Sequence, residues 1–223
     1  MALAGAAFLL THFVMSSTSM RPGLVGVLGE NGFLGVYSLV AFATLGAMIW
    51  VYMSAPRIDY FWFPNPDLYW VPKVLVAIAS VLLVGSFMVK NPTQVGLDGV
   101  LADESFEPQG MLRITRHPLQ WAICLWAVSH LVANGDVVSV AFFATFAILS
   151  GFGTVLMDRK KAAKLGEHWQ SYAAVTSNVP FLAILQGRNK VVVKEWVLPL
   201  VVGVVLYLAM YFGHEWLSGV PIA

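Results

Sequence analysis

His12 is the only ionisable side chain in the first 20 residues, set in Leu10-Thr11-His12-Phe13. A polar ring in such an apolar stretch costs free energy unless it has a partner. Two roles are open to it: a hydrogen bond to a neighbouring carbonyl, or a functional group. His117 stands in Arg113-Ile114-Thr115-Arg116-His117-Pro118. Pro118 suits the first turn of a helix, where its missing N–H costs nothing, so His117 is at a helix mouth. Arg113 and Arg116 flank it and could hold a carboxylate or phosphate. Trp121 and Cys124 follow at i+4 and i+7 and share its face. The plainer reading is a capping histidine with interfacial arginines, and Cys124 as a small buried apolar residue. The sharper one is metal chemistry: two neutral imidazoles facing each other, His12 and His117, are what a haem iron accepts axially. Arg113 and Arg116 would then pair with the haem propionates, and Trp121 and Cys124 would line the pocket.

The remaining histidines fit that centre less well. His130 lies 13 residues beyond His117, which is ~20 Å along a helix and on a different face. With His214, beside Glu215, it offers a second centre or two structural roles. His168, in Leu165-Gly166-Glu167-His168-Trp169, reads as part of a solvated face. No HExxH, CxxC, phosphate-binding loop or GxSxG occurs. No pair of carboxylates sits in an apolar run, so hydrolysis by paired acids has no support.

The elements that carry these residues follow from the charges. The 223 residues include 13 Lys+Arg and 12 Asp+Glu, 11% in all, and 58% are hydrophobic. Soluble domains carry roughly 25% charge. A disordered chain is excluded, and a net charge of +1 excludes a nucleic-acid partner. A single cysteine excludes an internal disulfide. Residues 1–20, 31–56, 74–89, 117–135, 137–157 and 196–214 contain no Asp, Glu, Lys or Arg. They are too long for strands and lack period-two alternation, so they read as helices in lipid. The third reaches spanning length by starting near Val71 with Lys73 snorkelling to the interface. The run 168–187 is also charge-free, but its Ser, Thr, Asn and Pro content places it at the interface. The first run lacks a basic leader and a clear cleavage site, and reads as a retained helix.

The expectation is one all-α domain over 1–223, a polytopic membrane protein with about six transmembrane helices. Loops 1, 3 and 5 hold 11 of the 13 basic residues; only Arg57 and Lys73 fall on the other side. Basic loops face the cytoplasm, so both termini lie on the non-cytoplasmic side, and His12 and His117 share a leaflet. Ile58-Asp59-Tyr60-Phe61-Trp62-Phe63-Pro64 reads as an aromatic interface belt on the outer side. The glycines at 23, 26, 29, 32 and 35 read as a tight turn between the first two helices.

Beyond single residues, a set of motifs resembles the NnrU family. Arg-Ile-Thr-Arg-His-Pro at 113–118 is followed by Trp126-Ala127-Val128-Ser129-His130-Leu131 and Ala133-Asn134-Gly135-Asp136. Asn91-Pro92-Thr93, Gly96, Pro108-Gln109-Gly110, Arg21-Pro22, His12 and Asp158-Arg159-Lys160 fit the same pattern. The resemblance covers almost the whole chain. It implies a bacterial inner-membrane protein linked to nitrite and nitric oxide metabolism in denitrification. NnrU proteins are in turn similar to plant 15-cis-ζ-carotene isomerase, a haem b membrane enzyme with a histidine in its first shared helix and another in its Arg-His-Pro motif. Carried over, these fall on His12 and His117. The resemblance implies haem b as cofactor and a hydrophobic small molecule, a polyene or nitric oxide as ligand, with the lipid bilayer and a membrane-protein partner as surroundings. Separately, Arg116-His117-Pro118 with Leu165-Gly166-Glu167-His168-Trp169-Gln170-Ser171-Tyr172 and Val179-Pro180 is similar to isoprenylcysteine carboxyl methyltransferases, which hold S-adenosylmethionine at the cytoplasmic face. Here Gln120 replaces an aromatic, and Asp158 is followed by Arg159 instead of a second acid.

Overall fold

The computed structural model describes residues 1–103, 105–220 and 222. Among them lie nine α-helices and no strand: α1 (Ala2–Met15), α2 (Arg21–Ser54), α3 (Trp70–Phe87), α4 (Met111–Ile114), α5 (Pro118–Ala133), α6 (Val137–Leu165), α7 (Glu167–Val175), α8 (Leu182–Leu185) and α9 (Val193–Ser218). All six charge-free runs form helices. α2, α3 with the short turn before it, α6 and α9 are long and apolar enough to cross a membrane. α1 and α5 have 14 and 16 residues, about 21 and 24 Å, which is less than the ~30 Å of a bilayer's hydrocarbon. The physical reason is local: α5 cannot begin before Pro118, and α1 ends at Ser16, whose N–H returns to the His12 carbonyl. The run 168–187 is broken into α7 and α8 and forms no long helix.

The glycine series does not make a turn. Gly23–Gly35 lies inside α2, and only Gly29 departs from helical geometry (φ 69°, ψ 167°). A left-handed φ is open to glycine and strained for other residues. Arg21 pairs with Glu30 across this kink and lies over the Phe33 ring. The connection between α1 and α2 is made by Ser16–Met20 instead.

α3 packs on α5 and α9, α5 on α6, and α1 on α2 and α6. Phe8, Met48, Phe142 and Phe143 form one core where α1, α2 and α6 meet. Leu82, Met111, Ile114 and Ala122 form another around α3, α4 and α5. Gly203 lets α9 approach α3: a Cβ there would lie 2.6 Å from the Val81 Cα. α2 buries only Phe33 and Met48, leaving an apolar surface suited to lipid.

The far end of α6 is fixed by Asp136, whose carboxylate accepts from the Ser139 N–H at 2.8 Å and pairs with Arg57 at 3.3 Å. Burial works against the charged form of Asp136, but Ser139 and Arg57 hold its pKa below the usual carboxylate range. The aromatic loop is clamped here by Phe61 N–H to the Gly135 carbonyl (2.8 Å) and Val137 N–H to the Asp59 carbonyl (2.9 Å).

α1 runs parallel to α6, with Gly5 under Thr145 and Phe8 against Phe146. α5 runs antiparallel to it, with Trp126 against Phe143 and His117 against Asp158. His12, one turn past Phe8, is therefore level with about residue 150 of α6. His117 is level with 158, roughly 12 Å further along the axis at 1.5 Å per residue. His12 is thus level with the middle of α6, and His117 with the half that ends at Gly166.

Candidate functional site

The Arg-His-Pro segment is welded to two distant stretches of chain. Arg116 N–H donates to the Ser177 carbonyl (2.9 Å), and Phe181 N–H to the Ile114 carbonyl (2.8 Å). Thr115 Oγ1 and Trp121 Nε1 both donate to the Asn178 carbonyl, at 2.6 and 2.8 Å. From the third side, Thr93 Oγ1 donates to the Arg116 carbonyl at 3.2 Å, and Asn91 Oδ1 accepts from Thr93. Lys161 Nζ donates to the Pro92 carbonyl at 2.7 Å.

At the centre is a carboxylate, Asp158 of α6. Arg116 grips it with both arms, Nε to Oδ1 at 2.9 Å and Nη2 to Oδ2 at 2.8 Å. Asn178 Nδ2 donates to Oδ2 at 3.2 Å. His117 Nε2 lies 2.6 Å from Oδ1, and because an ionised carboxylate only accepts, Nε2 carries the proton. His117 is 0% exposed, and its other nitrogen, Nδ1, is buried without a hydrogen-bond partner. A buried lone pair of this kind calls for an explanation, such as a ligand, an ion or water.

His12 has the complementary arrangement. Its Nδ1 lies 2.7 Å from the Phe8 carbonyl, so Nδ1 carries the proton and Nε2 keeps its lone pair. Its ring packs against Phe8 (4.2 Å) and edge-on to Tyr37 (5.7 Å), and does not touch the ring of His117. Both expected ligands thus have one nitrogen fixed by a protein oxygen and one lone pair unmet. That is the usual state of a metal-binding histidine, whose tautomer is set from behind by a carbonyl or carboxylate. The donor chemistry of each imidazole fits an iron, and the roughly 12 Å between their levels on α6 means that the two rings would have to move toward each other to share one.

Each arginine holds a carboxylate, and both carboxylates belong to the protein. Arg113 gives Nε and Nη2 to Glu195 (2.8 and 3.2 Å) and Nη1 to Asn189 (3.1 Å). Arg116 is spent on Asp158 and, at 5.8 Å, faces the Trp169 ring. Both guanidiniums already hold carboxylates of the protein, so pairing with haem propionates would require exchange of Glu195 or Asp158. Trp121 anchors Asn178, and Cys124 has only a long contact from Sγ to the Ala147 carbonyl (3.9 Å). The two outer histidines do meet: the His130 and His214 rings are 6.4 Å apart, each with Nδ1 at 2.8 Å from a backbone carbonyl. His168 is exposed, as its solvated surroundings suggest.

Asp158 and Asn178 are the residues that spacing did not bring to His117. Asp158 had signals, as the first charge after the run 137–157 and as part of Asp158-Arg159-Lys160, but neither tied it to His117. Asn178 had none.

No solved structure matches the chain. It is 32% identical over 204 residues to the chloroplastic 15-cis-zeta-carotene isomerase of Arabidopsis thaliana, covering 86% of this chain and 54% of that protein. With the chloroplastic 15-cis-zeta-carotene isomerase of Zea mays it shares 36% over 111 residues, 47% of this chain and 30% of that protein. The chain therefore spans about half the length of the first of these relatives and less of the second. Residues 1–222 match the NnrU protein family from end to end, and the chain belongs to that family.

Proposed function

We propose that this protein is a membrane isomerase acting on a carbon–carbon double bond of a hydrophobic polyene. The observation that carries the reading is the 32% identity to a 15-cis-zeta-carotene isomerase across 86% of the chain. The apolar helices suit a substrate that dissolves in lipid, and the His117–Asp158–Arg116 centre is a hydrogen-bonded polar cluster next to them. We further propose haem b as cofactor, held by His12 and His117. When bound, haem would supply a redox-active iron, which these two imidazoles would hold. The chain's own part is to hold each imidazole in one tautomer: the Phe8 carbonyl does so for His12, and Asp158 does so for His117. Arg116 and Asn178 keep Asp158 in place.

The arrangement in the membrane is part of the proposal. The four long helices are joined by α1 and α5 in a six-segment array, with the basic loops in the cytoplasm and both termini outside. A second reading, which the motifs resembling the NnrU family imply, is that the same two histidines serve nitrite or nitric oxide metabolism in a bacterial inner membrane.

The visible spectrum of the protein purified from haem-replete cells tests the cofactor. The expected result is a Soret band that is lost in both His12→Ala and His117→Ala. A colourless wild-type protein would remove haem from the proposal. The isomer ratio in carotenoid-making cells tests the activity, and an unchanged ratio on expression counts against it. Nitrite consumption in a denitrifying host lacking the protein tests the second reading.

A further inference from the structure

A cleft of about 780 Å³ opens above α7, away from His12 and His117. Its size is that of a small-molecule site. α7 is its floor, with Glu167 at the first turn and Val175 at the last. Leu101, Asp103 and Phe106–Pro108 form one wall, and residues 187–190 close the end near the α7 C-terminus. Three features suit the cleft to a ligand.

The first is Tyr172. It lies in the middle of the floor, is 4% exposed, and its hydroxyl has no hydrogen-bond partner. Buried hydroxyls normally have one. The second is the apolar centre: the Phe106 ring stands 6.1 Å from that of Tyr172, with Leu101 packed behind it. The third is the order of charges. Glu167, at the first turn of α7, lines one end of the cleft and forms no ion pair among the described residues. At the opposite end, Arg188 donates to the carbonyls of Ala173, Ala174 and Thr176, which fixes it over the α7 C-terminus. Lys190 lies beside it and is also unpaired among the described residues. Arg113, at the edge, is neutralised by Glu195. Asp103 caps its own turn through Ser105, with Lys90 across it in a smaller recess of about 370 Å³.

Negative charge therefore sits at one end of α7 and positive charge at the other. The separation from Glu167 to Val175 is about 12 Å at 1.5 Å per residue. We infer that this cleft binds an elongated zwitterion: a cationic end against Glu167, an anionic end against Arg188 and Lys190, and an apolar middle on Phe106 with a hydrogen bond to Tyr172 Oη. This site is separate from the histidine centre and does not depend on the isomerase reading.

The test uses Ala-Phe-Ala, about 10 Å long when extended, its C-terminal amide and its N-acetyl form. These carry both charges, only the cation and only the anion. Each is titrated calorimetrically into the full-length protein in lipid nanodiscs at low salt. The free peptide is expected to bind at one site, roughly fivefold tighter than either blocked form, the ratio that an exposed ion pair supplies. Glu167→Gln should abolish its advantage over the acetylated form, and Lys190→Gln its advantage over the amide. Both residues are exposed, so these variants fold. Tyr172→Phe should weaken all three peptides by a common factor, roughly 2–10-fold. Blocked peptides that bind as tightly as the free one, preferences untouched by Glu167→Gln and Lys190→Gln, or no saturable heat from any peptide would each overturn the inference.

Discussion

Replacing Asp158 by asparagine keeps the shape of the central residue and removes its charge. In the native arrangement the carboxylate takes two bonds from Arg116, one from His117 at 2.6 Å and one from Asn178 at 3.2 Å. The Arg116 and Asp158 side chains are only 13% and 20% exposed, so solvent does little to replace what is lost. A bond to a charged group contributes about 1.5–3 kcal/mol and a neutral one about 0.5–1.5 kcal/mol. Three strong bonds each weakened by about 1 kcal/mol give ~3 kcal/mol. That lies at the lower edge of the 3–5 kcal/mol typical of stranding one partner of a buried pair. In a chain of this size about 1 kcal/mol moves the midpoint by roughly 2–4 °C, so Tm should fall by roughly 6–12 °C. Thermal unfolding in lipid micelles, followed by tryptophan fluorescence, reads this directly. The double variant Asp158→Asn with Arg116→Met removes the stranded cation and should lose less than the sum of the single variants, by about 1–2 kcal/mol. A Tm within a degree or two of wild type, or strict additivity in the cycle, would refute the role given to Asp158.

Three further outcomes follow from the packing. Gly203→Ala would place a Cβ 2.6 Å from the Val81 Cα, so α9 and α3 must move apart; the expected cost is about 1–3 kcal/mol in the same unfolding assay. Trp121→Phe keeps the ring but deletes the bond to the Asn178 carbonyl. It should cost about 1 kcal/mol and leave any visible spectrum unchanged. Asp136 supplies a pH test. Its folded pKa lies below its unfolded value, since Ser139 and Arg57 outweigh burial. Its contribution is therefore complete above the unfolded pKa, about 3.9, and is lost as pH falls through the folded one. Asp136→Asn should be less stable than wild type at neutral pH and show a flatter loss of stability below about pH 4.

The apolar helices were legible because lipid and packed helices ask for the same residues over the same lengths. The ends were less so: α1 and α5 stop short for reasons of local backbone, a tightened last turn closed by the Ser16 and Ser17 N–H groups and a proline at 118. The glycine series misled because glycine marks turns by frequency, whereas at Gly23–Gly35 only position 29 uses a turn-like φ. At the site, sequence spacing found His117, Arg113 and Arg116, which lie within one short segment. It did not find their partners, because Glu195 and Asp158 are 82 and 42 residues away and are brought in by helix packing alone. The same packing turned the two arginines from candidate ligand holders into clamps on carboxylates of the protein. The alternative of a carbonyl-bonded His12 and that of a ligand share one geometry, since the bond to Phe8 is what leaves Nε2 free.

The central claim is that the chain isomerises a polyene, and its most direct test is chemical. Purified protein is reconstituted into liposomes containing 15-cis-zeta-carotene, in the dark, with a reductant present. Isomers are then separated by chromatography over time. The account predicts loss of the 15-cis isomer with wild-type protein, and a rate no different from protein-free liposomes with His12→Ala or His117→Ala. A wild-type rate equal to that of empty liposomes, with haem bound and the protein folded, would contradict it.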